Sequence, residues 1–333
     1  MARLRVGIIG VGEMARICHL PILARLPQVE LAAFCDNNPG NLSARGDQYG
    51  VQARYGDHHD MLENEKLDAV CIFVPPFAHT DAEIIAAERG LPVFVEKPPA
   101  LSMEKAQEVC AAIHKSGVIN AVGFNERYRR ATDLARERLA DSPVVQALIH
   151  RLHGSSARAY WWMLESLSGG ALVENTIHAV DLLRYLAGDL ASVSARIVDR
   201  RDKTAELDIP LSHCATYTLA RGGVASVTTC TALARCGSTQ FLLVAGDSLY
   251  DLGGGKLVVD GQVVGEDEPG RGAYEREFAT FFEAILAGDQ DRIRSPYADA
   301  LRSLAATLGA VNSARHGGQV VDLTAPPYVS PEG

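Results

Sequence analysis

Three short stretches of this sequence place reactive or ligand-holding residue types at spacings that chemistry can use. The first is Gly10-Val11-Gly12-Glu13-Met14-Ala15, which fits the pattern Gly-x-Gly-x-x-Gly/Ala. At the exit of a strand such a turn lets backbone N–H groups, here near Glu13 and Met14, hold a pyrophosphate at the positive end of a helix. Gly10 permits the tight turn, Gly12 leaves room for the phosphate, and Ala15 lets helix pack closely on strand. Asp36 ends the next apolar run. A carboxylate there accepts hydrogen bonds from ribose hydroxyls and repels a 2′-phosphate, which favours NAD over NADP. Arg16, Arg45 and Arg54 are the cations near enough in sequence to temper that preference. The second stretch is Glu96-Lys97-Pro98, directly after an apolar strand. That puts Lys97 at the carboxyl edge of a parallel sheet, where ligands bind. A free lysine titrates near about 10.4; burial lowers that value, whereas a carboxylate such as Glu96 or Glu174 raises it. The third runs from Gly169 to Asp181 and sets Glu174, His178 and Asp181 at i, i+4 and i+7, on one face of an otherwise apolar helix. Three polar groups there are costly unless they line a cavity, and histidine exchanges protons near neutral pH unaided.

The elements that must position these residues follow from periodicity. Arg5–Ile9, Val29–Cys35, Ala69–Val74, Pro92–Val95 and Ile119–Val122 read as short strands apolar on both faces. Parallel strands covered by helices look like this. Met14–Leu26, Asn41–Tyr49, Ala78–Arg89 and Met103–Lys115 between them carry helical spacing. The alternation predicts a Rossmann-type doubly wound parallel sheet over residues 1–123. Residues 124–333 change rhythm: helix Arg127–Ala140, strand Val144–Leu152, a loop with Trp161 and Trp162, and an apolar helix Gly170–Leu186. Strand-like runs then extend from Ser192 to Val264, split by Arg221-Gly222-Gly223, Gly253-Gly254-Gly255 and Asp260-Gly261, before helices Tyr274–Leu286 and Tyr297–Ala314. This predicts an α+β domain with an open, mostly antiparallel sheet, arranged as a meander.

Composition sets the outer bounds. The chain has 333 residues, 47% hydrophobic and 22% charged, with a formal net charge of −9. That is an ordinary globular make-up, and the negative charge offers no pull toward nucleic acid or an anionic membrane. No apolar run reaches the roughly 20 residues a membrane span needs, and the N-terminus meets Gly10 and Glu13 too early for a signal peptide. Seven scattered cysteines without a Cys-x-x-Cys pair read as reduced, mostly buried thiols. The expected setting is the cytoplasm.

Taken together, Gly10-x-Gly12-x-x-Ala15, Asp36, Pro75-Pro76-x-x-His79, Glu96-Lys97-Pro98, Gly123-Phe124-Asn125-x-Arg127-Tyr128 and Gly169-Gly170…His178-x-x-Asp181 resemble the Gfo/Idh/MocA family of nicotinamide-dependent oxidoreductases. The resemblance spans nearly the whole chain. It implies a dehydrogenase moving a hydride between NAD and a secondary hydroxyl of a sugar, cyclitol or sugar derivative. It further implies that Lys97 faces the reacting hydroxyl or carbonyl and that His178 donates or accepts the proton. Asn125 and Arg127 would lie near nicotinamide and substrate, and Val74, Pro75 and His79 would form the turn flanking the cofactor. Glu174 stands where the family usually has Asp, and Thr176 where it often has Gly. The longer carboxylate bears on substrate choice and on the share of acid/base work left to Lys97 and His178. Two other functions share the fold: a glycosidase or epimerase-type enzyme that oxidises the ring transiently on tightly held NAD, and a non-catalytic ligand-sensing regulator. Intact Lys97 and His178, and the lack of a basic patch, argue against the regulator, while net NADH release separates the dehydrogenase from the transient-oxidation enzyme.

Weaker candidates surround these. Tyr160, Trp161 and Trp162 are the aromatic faces available to a sugar, or else interior packing. His150, Arg151 and His153 alternate along a strand, so His153 shares a face with Arg151 and is a candidate substrate contact. Asp57, His58, His59 and Asp60 have metal-ligand types, but adjacent histidines are expected to point apart, so no metal site is assigned. Apolar residues on both faces of Val224–Leu233 and Thr239–Ala245 predict a homodimer or homotetramer through the second sheet. Substrate specificity is expected in the loops Ser155–Leu167 and Thr231–Gly237.

Overall fold

The apolar runs of the first 123 residues build one parallel sheet, in a computed structural model that describes residues 3–154, 159–233 and 237–329. Its strands are β1 (Leu4–Ile9), β2 (Val29–Cys35), β3 (Ala53–Tyr55), β4 (Ala69–Ile72), β5 (Val93–Val95) and β6 (Asn120–Val122). They lie in the order β3-β2-β1-β4-β5-β6. The chain reverses direction of winding between β1 and β4, so a crevice opens at their carboxyl ends. The register there pairs Ile9 with Cys35 on one side and with Ile72 on the other. Gly10, Asp36 and Phe73 therefore leave the sheet side by side. Helices α1 (Leu20–Leu23), α2 (Pro39–Tyr49), α3 (His58–Asn64), α4 (Ala82–Glu88) and α5 (Met103–Ser116) connect the strands. The helix expected over Met14–Leu26 begins instead as a π-helical turn, Ala15–His19, before α1. Strand β3 is too short, and too evenly half-buried, to signal itself in the sequence.

A later stretch of chain completes this unit. By packing, the first unit comprises the stretch ending at Pro99, Lys105–Asn125 and Gly270–Tyr297. Helix α10 (Gly272–Ala287) returns to it with Phe278, Phe281 and Phe282, none with any exposed surface. The Phe278 and Phe281 rings sit 4.7 and 5.5 Å from that of Phe94 on β5. Gln290 accepts from Asn120 N–H at 2.8 Å, and Ser295 O accepts from Val122 N–H at 2.9 Å, so the segment also fixes the β6 edge. A division of the chain at 123/124 takes no account of this segment.

The second unit comprises Ala100–Glu104, Glu126–Pro269 and the chain from Ala298 onward. Its elements are α6 (Arg130–Leu139), β7 (Val144–Leu152), α7 (Glu165–Ser168), α8 (Gly170–Glu174), α9 (Ile177–Ala187), β8 (Leu190–Val198), β9 (Ser212–Leu219), β10 (Val224–Cys230), β11 (Ser238–Ala245), β12 (Ser248–Asp251), β13 (Lys256–Val259), β14 (Gln262–Glu266), α11 (Tyr297–Arg315) and β15 (Val321–Asp322). The nine strands run β14-β13-β12-β11-β7-β10-β9-β8-β15. This departs from the expected meander: β7 inserts between β10 and β11 and runs parallel to β10, while its other pairings are antiparallel. Alternate residues Ala147, Ile149, Tyr217, Val227 and Leu243 turn inward, where Val180 and Leu183 of α9 and Ala306 and Ala310 of α11 join the same core. The continuous helix expected from Gly170 to Leu186 is two helices, α8 and α9, broken at Asn175–Thr176. Both N–H groups at the break return to Ala171 O, which ends α8 before α9 restarts.

Candidate active site

The glycine turn has the geometry a pyrophosphate requires. Gly10 adopts φ +89°, and a Cβ on it would meet Phe73 O at 2.7 Å, so no other residue fits. Beside Gly12 nothing lies within 4 Å of a Cβ position, which leaves that side of the backbone open to a ligand. Asp36 braces the turn: its carboxylate accepts from Val11 N–H and from Asn38 N–H, each at 2.8 Å. It remains half-buried beside the turn, where a ribose would lie. Ala15 is buried against the sheet, while Glu13 and Met14 face solvent and Arg16 pairs with Glu13. These residues fit an NAD adenosine diphosphate.

The π turn has a consequence for the second motif. It carries His19 inward to complete burial, and its Nε2 lies 2.8 Å from Glu96 Oε1. The other oxygen of the same carboxylate accepts the Lys97 backbone N–H at 2.9 Å. The His19 ring is packed against Phe73, with centroids 4.3 Å apart, and against the edge of Phe278. A Cβ on Gly123 would lie 3.4 Å from the Glu96 carboxylate, in van der Waals contact with it. One buried carboxylate thus joins the nucleotide-turn helix to the backbone of Lys97, whose own residue is half-buried at the end of β5. His19 is absent from the sequence reading. Its signal is a lone histidine on an otherwise apolar helix one step after the glycine turn.

The remaining first-unit candidates divide. Val74 and Pro75 form the turn after β4, partly exposed. The His79 side chain is 1% exposed and its Nδ1 contacts Glu83 closely. Burial alone would raise the Glu83 carboxyl, but the His79 imidazole holds it below the usual range. His79 and Glu83 thus form a buried pair directly after the turn. Asn125 is half-buried at the start of a single 3₁₀ turn after β6.

In the second unit, the helix break separates three residues expected on one face. Glu174 ends α8, and its Oε2 accepts a hydrogen bond from Trp162 Nε1. Trp162 is 3% exposed, packed with Ala171 and Ile209, so it holds Glu174 and offers no open ring face to a sugar. Its indole meets the His153 ring edge-on at 5.7 Å. His178 is half-buried on the first turn of α9. Asp181 is fully buried and takes two hydrogen bonds from Arg127, at 2.8 and 2.6 Å, and one from Ser303 at 2.7 Å. Arg127 also reaches Asp299 at 2.5 Å. Arg127, expected near nicotinamide and substrate, is 97% buried in this ion-pair network; burial alone would lower its pKa, but the two carboxylates raise it. Thus His153, Trp162 and Glu174 come together, while Arg127 and Asp181 form a separate pair.

Adjacent His58 and His59 do not point apart. Their rings lie 4.4 Å from each other, and both reach Asp81, at 2.8 and 3.3 Å. Neighbouring helix positions diverge by only about 100°, not by the half-turn of a strand, so one acceptor serves both. Cys18, Cys35, Cys71 and Cys110 are buried free thiols, and burial pushes Cys18 and Cys35 up to about 12. Residues 155–158 and 234–236, parts of the two expected specificity loops, and with them Cys236, lie outside the described residues.

Comparison with known proteins agrees with this geometry. Residues 4–124 match the profile of an oxidoreductase family with an NAD-binding Rossmann fold, and residues 138–248 that of a GFO/IDH/MocA C-terminal domain. A D-glucoside 3-dehydrogenase of Escherichia coli is 31% identical over 195 residues, covering 56% of this chain and 54% of that protein. An NAD(+)-dependent scyllo-inositol 2-dehydrogenase of Bacillus subtilis is 28% identical over 193 residues, 58% of this chain and 56% of its own. The match thus spans about half the length of these relatives. Among solved structures, a levoglucosan dehydrogenase in complex with NADH and L-sorbose superposes with a TM-score of 0.84 at 22% identity, covering 97% of this chain and 99% of that one.

Proposed function

The chain belongs to the Gfo/Idh/MocA family of oxidoreductases, and from that membership we propose that it is an NAD-dependent dehydrogenase acting on a secondary hydroxyl of a sugar, cyclitol or sugar derivative. The observation that carries the reading is the buried Glu96 carboxylate, which fixes the Lys97 backbone beside an open glycine turn suited to NAD. The relatives named as glucoside and inositol dehydrogenases support the substrate class.

The Gly10–Ala15 turn and Asp36 would hold NAD, which would supply the hydride acceptor or donor. The protein's part is proton management. Lys97 and His178 are the acid/base groups of the proposal: they take the hydroxyl proton as the carbinol carbon is oxidised, and return it in the reverse direction. Glu174, steadied by Trp162, supplies an acceptor for a neighbouring substrate hydroxyl, and His153 borders the same patch. The residues that orient matter as much as those that react, because a misplaced group forfeits the gain of a held geometry.

Lys97→Ala should lower NADH production from a cyclitol or aldose panel by about two to four orders of magnitude, with NAD affinity by calorimetry nearly unchanged. Full turnover in that variant would sink the assignment. Substrate conversion by the wild type without net NADH release would point to transient oxidation on retained NAD. The proposal also includes a cytoplasmic homo-oligomer; among the described residues no helix is long and apolar enough to cross a membrane.

A further inference from the structure

Within the second unit, a cavity of about 400 Å³ opens where α6 and α9 end, beside the β9–β10 turn and the first turns of α11. Five arginines line it: Arg127, Arg136, Arg184, Arg221 and Arg302. Three aspartates answer them. Asp181 and Asp299 take Arg127; Asp299 and Asp189 take Arg184, at 2.9 and 2.7 Å; Asp189 also takes Arg302, at 2.8 Å. The two deepest guanidiniums, of Arg127 and Arg184, each have 3% of their side chain exposed.

Two cations remain without a carboxylate among the described residues. Arg136 is exposed and finds only Tyr185, donating to its hydroxyl at 2.5 Å with its guanidinium 4.5 Å from the ring centroid. Arg221 is also exposed, has neither hydrogen bond nor ion pair, and lies along Gly188 at the cavity wall. The carboxyl ends of α6 and α9 each contribute about half a negative charge. Five guanidiniums against three carboxylates and these two helix ends still leave roughly one positive charge. A positive pocket on a chain of net charge −9 reverses the field of the whole protein locally.

We propose that this cavity binds a phosphate group, carried on a small metabolite. Guanidiniums offer paired N–H donors that match phosphate oxygens two at a time, and Arg221 and Arg136, neither held by a carboxylate among the described residues, supply them. The volume exceeds what an inorganic ion fills and falls within the about 300–1,000 Å³ of small-molecule sites. Leu139, Leu186 and Ala220 give the organic part an apolar wall. His178 begins the same helix that ends at the cavity, about 10 Å along its axis from Tyr185.

The test is calorimetry on the full-length protein saturated with NAD, which closes the glycine turn to competing phosphate. Glucose 6-phosphate, AMP and inorganic phosphate are the probes, with glucose and adenosine as controls. Binding of a phosphate ester with a Kd below about 1 mM, weakened roughly tenfold or more in the Arg136→Ala/Arg221→Ala variant, is the expected result. Esters binding more tightly than free phosphate identify a metabolite; equal affinities identify the inorganic ion as the source of the group. Both side chains are exposed, so an unchanged Tm in the variant shows that the fold is intact. The proposal is overturned if no phosphate-bearing probe binds, if the double variant binds as the wild type does, or if adenosine binds as well as AMP.

Discussion

His19 reaches a carboxylate that the Glu-Lys-Pro motif by itself pairs only with its own lysine. Its position depends on the π turn, because one extra residue in the turn rotates the side chain inward; such turns recur at functional sites. Replacing it leaves Glu96 Oε1 with no partner from this ring and opens a hole between Phe73 and Phe278. His19→Ala should cost about 2–4 kcal/mol in a denaturant titration, mainly from the cavity left between the two rings. His19→Gln refills part of that space and should recover about half of the loss. If His19 also positions Lys97 through Glu96, the Gln variant shows a lowered kcat at nearly normal stability, with KM for NAD unaltered. An alanine variant as stable and active as the wild type would remove both roles.

Among the elements, the second sheet makes the largest demand on a partner. Its outer face exposes Leu148 at 45%, Val224 at 47%, Leu249 at 44% and Val263 at 53%. Apolar side chains spread over β7, β10, β12 and β14 in this way favour association through the face. Light scattering at micromolar concentration should therefore report a dimer or larger, and Leu148→Glu should shift it to the monomer with the thermal midpoint little changed. A wild-type monomer contradicts the oligomer. The same elements show what the sequence reveals and where it stops. Strands β2, β7 and β13 run over the stretches read from apolar pattern alone, since each is long or apolar enough to signal its period. Glu174, His178 and Asp181 share a helical spacing in sequence, yet Asn175 and Thr176 break the helix, and tertiary partners then draw Glu174 to Trp162 and Asp181 to Arg127. The parallel pairing of β7 with β10 joins residues far apart in the chain, such as Ile149 and Val227, and no local pattern encodes it. The glycine turn and Glu96-Lys97-Pro98 are legible because their chemistry is written in consecutive residues; His19 is not, because its partner lies far along the chain.

At the scale of the whole molecule, stability toward acid should fall in two stages. Burial, aided by the nearby Arg315 and opposed by Asp199, lowers the His213 pKa from 6.5 to about 4. The unfolded chain then binds a proton that the folded one refuses, so stability is complete above pH 6.5 and declines as pH falls toward 4. The loss is on the order of 3 kcal/mol. Asp299 is the opposite kind of group: burial would raise it, but Arg184 and Arg127 bring it down to about 2. Its contribution is present above 3.8 and disappears as pH drops toward 2. Urea titrations at stepped pH should show both declines, and His213→Leu should flatten the upper one while leaving the lower. A wild-type profile level from pH 7 to 4 would contradict the burial account of His213. The returning segment Gly270–Tyr297 sets an order of events of another kind. On the ribosome the six parallel strands emerge long before α10, so Phe94 waits for Phe278 and Phe281 while most of the second unit is synthesised. At about 5–20 residues per second that interval is roughly 10–40 s. During it the nucleotide-binding half carries an uncovered aromatic patch, a natural target for chaperones that guard nascent chains.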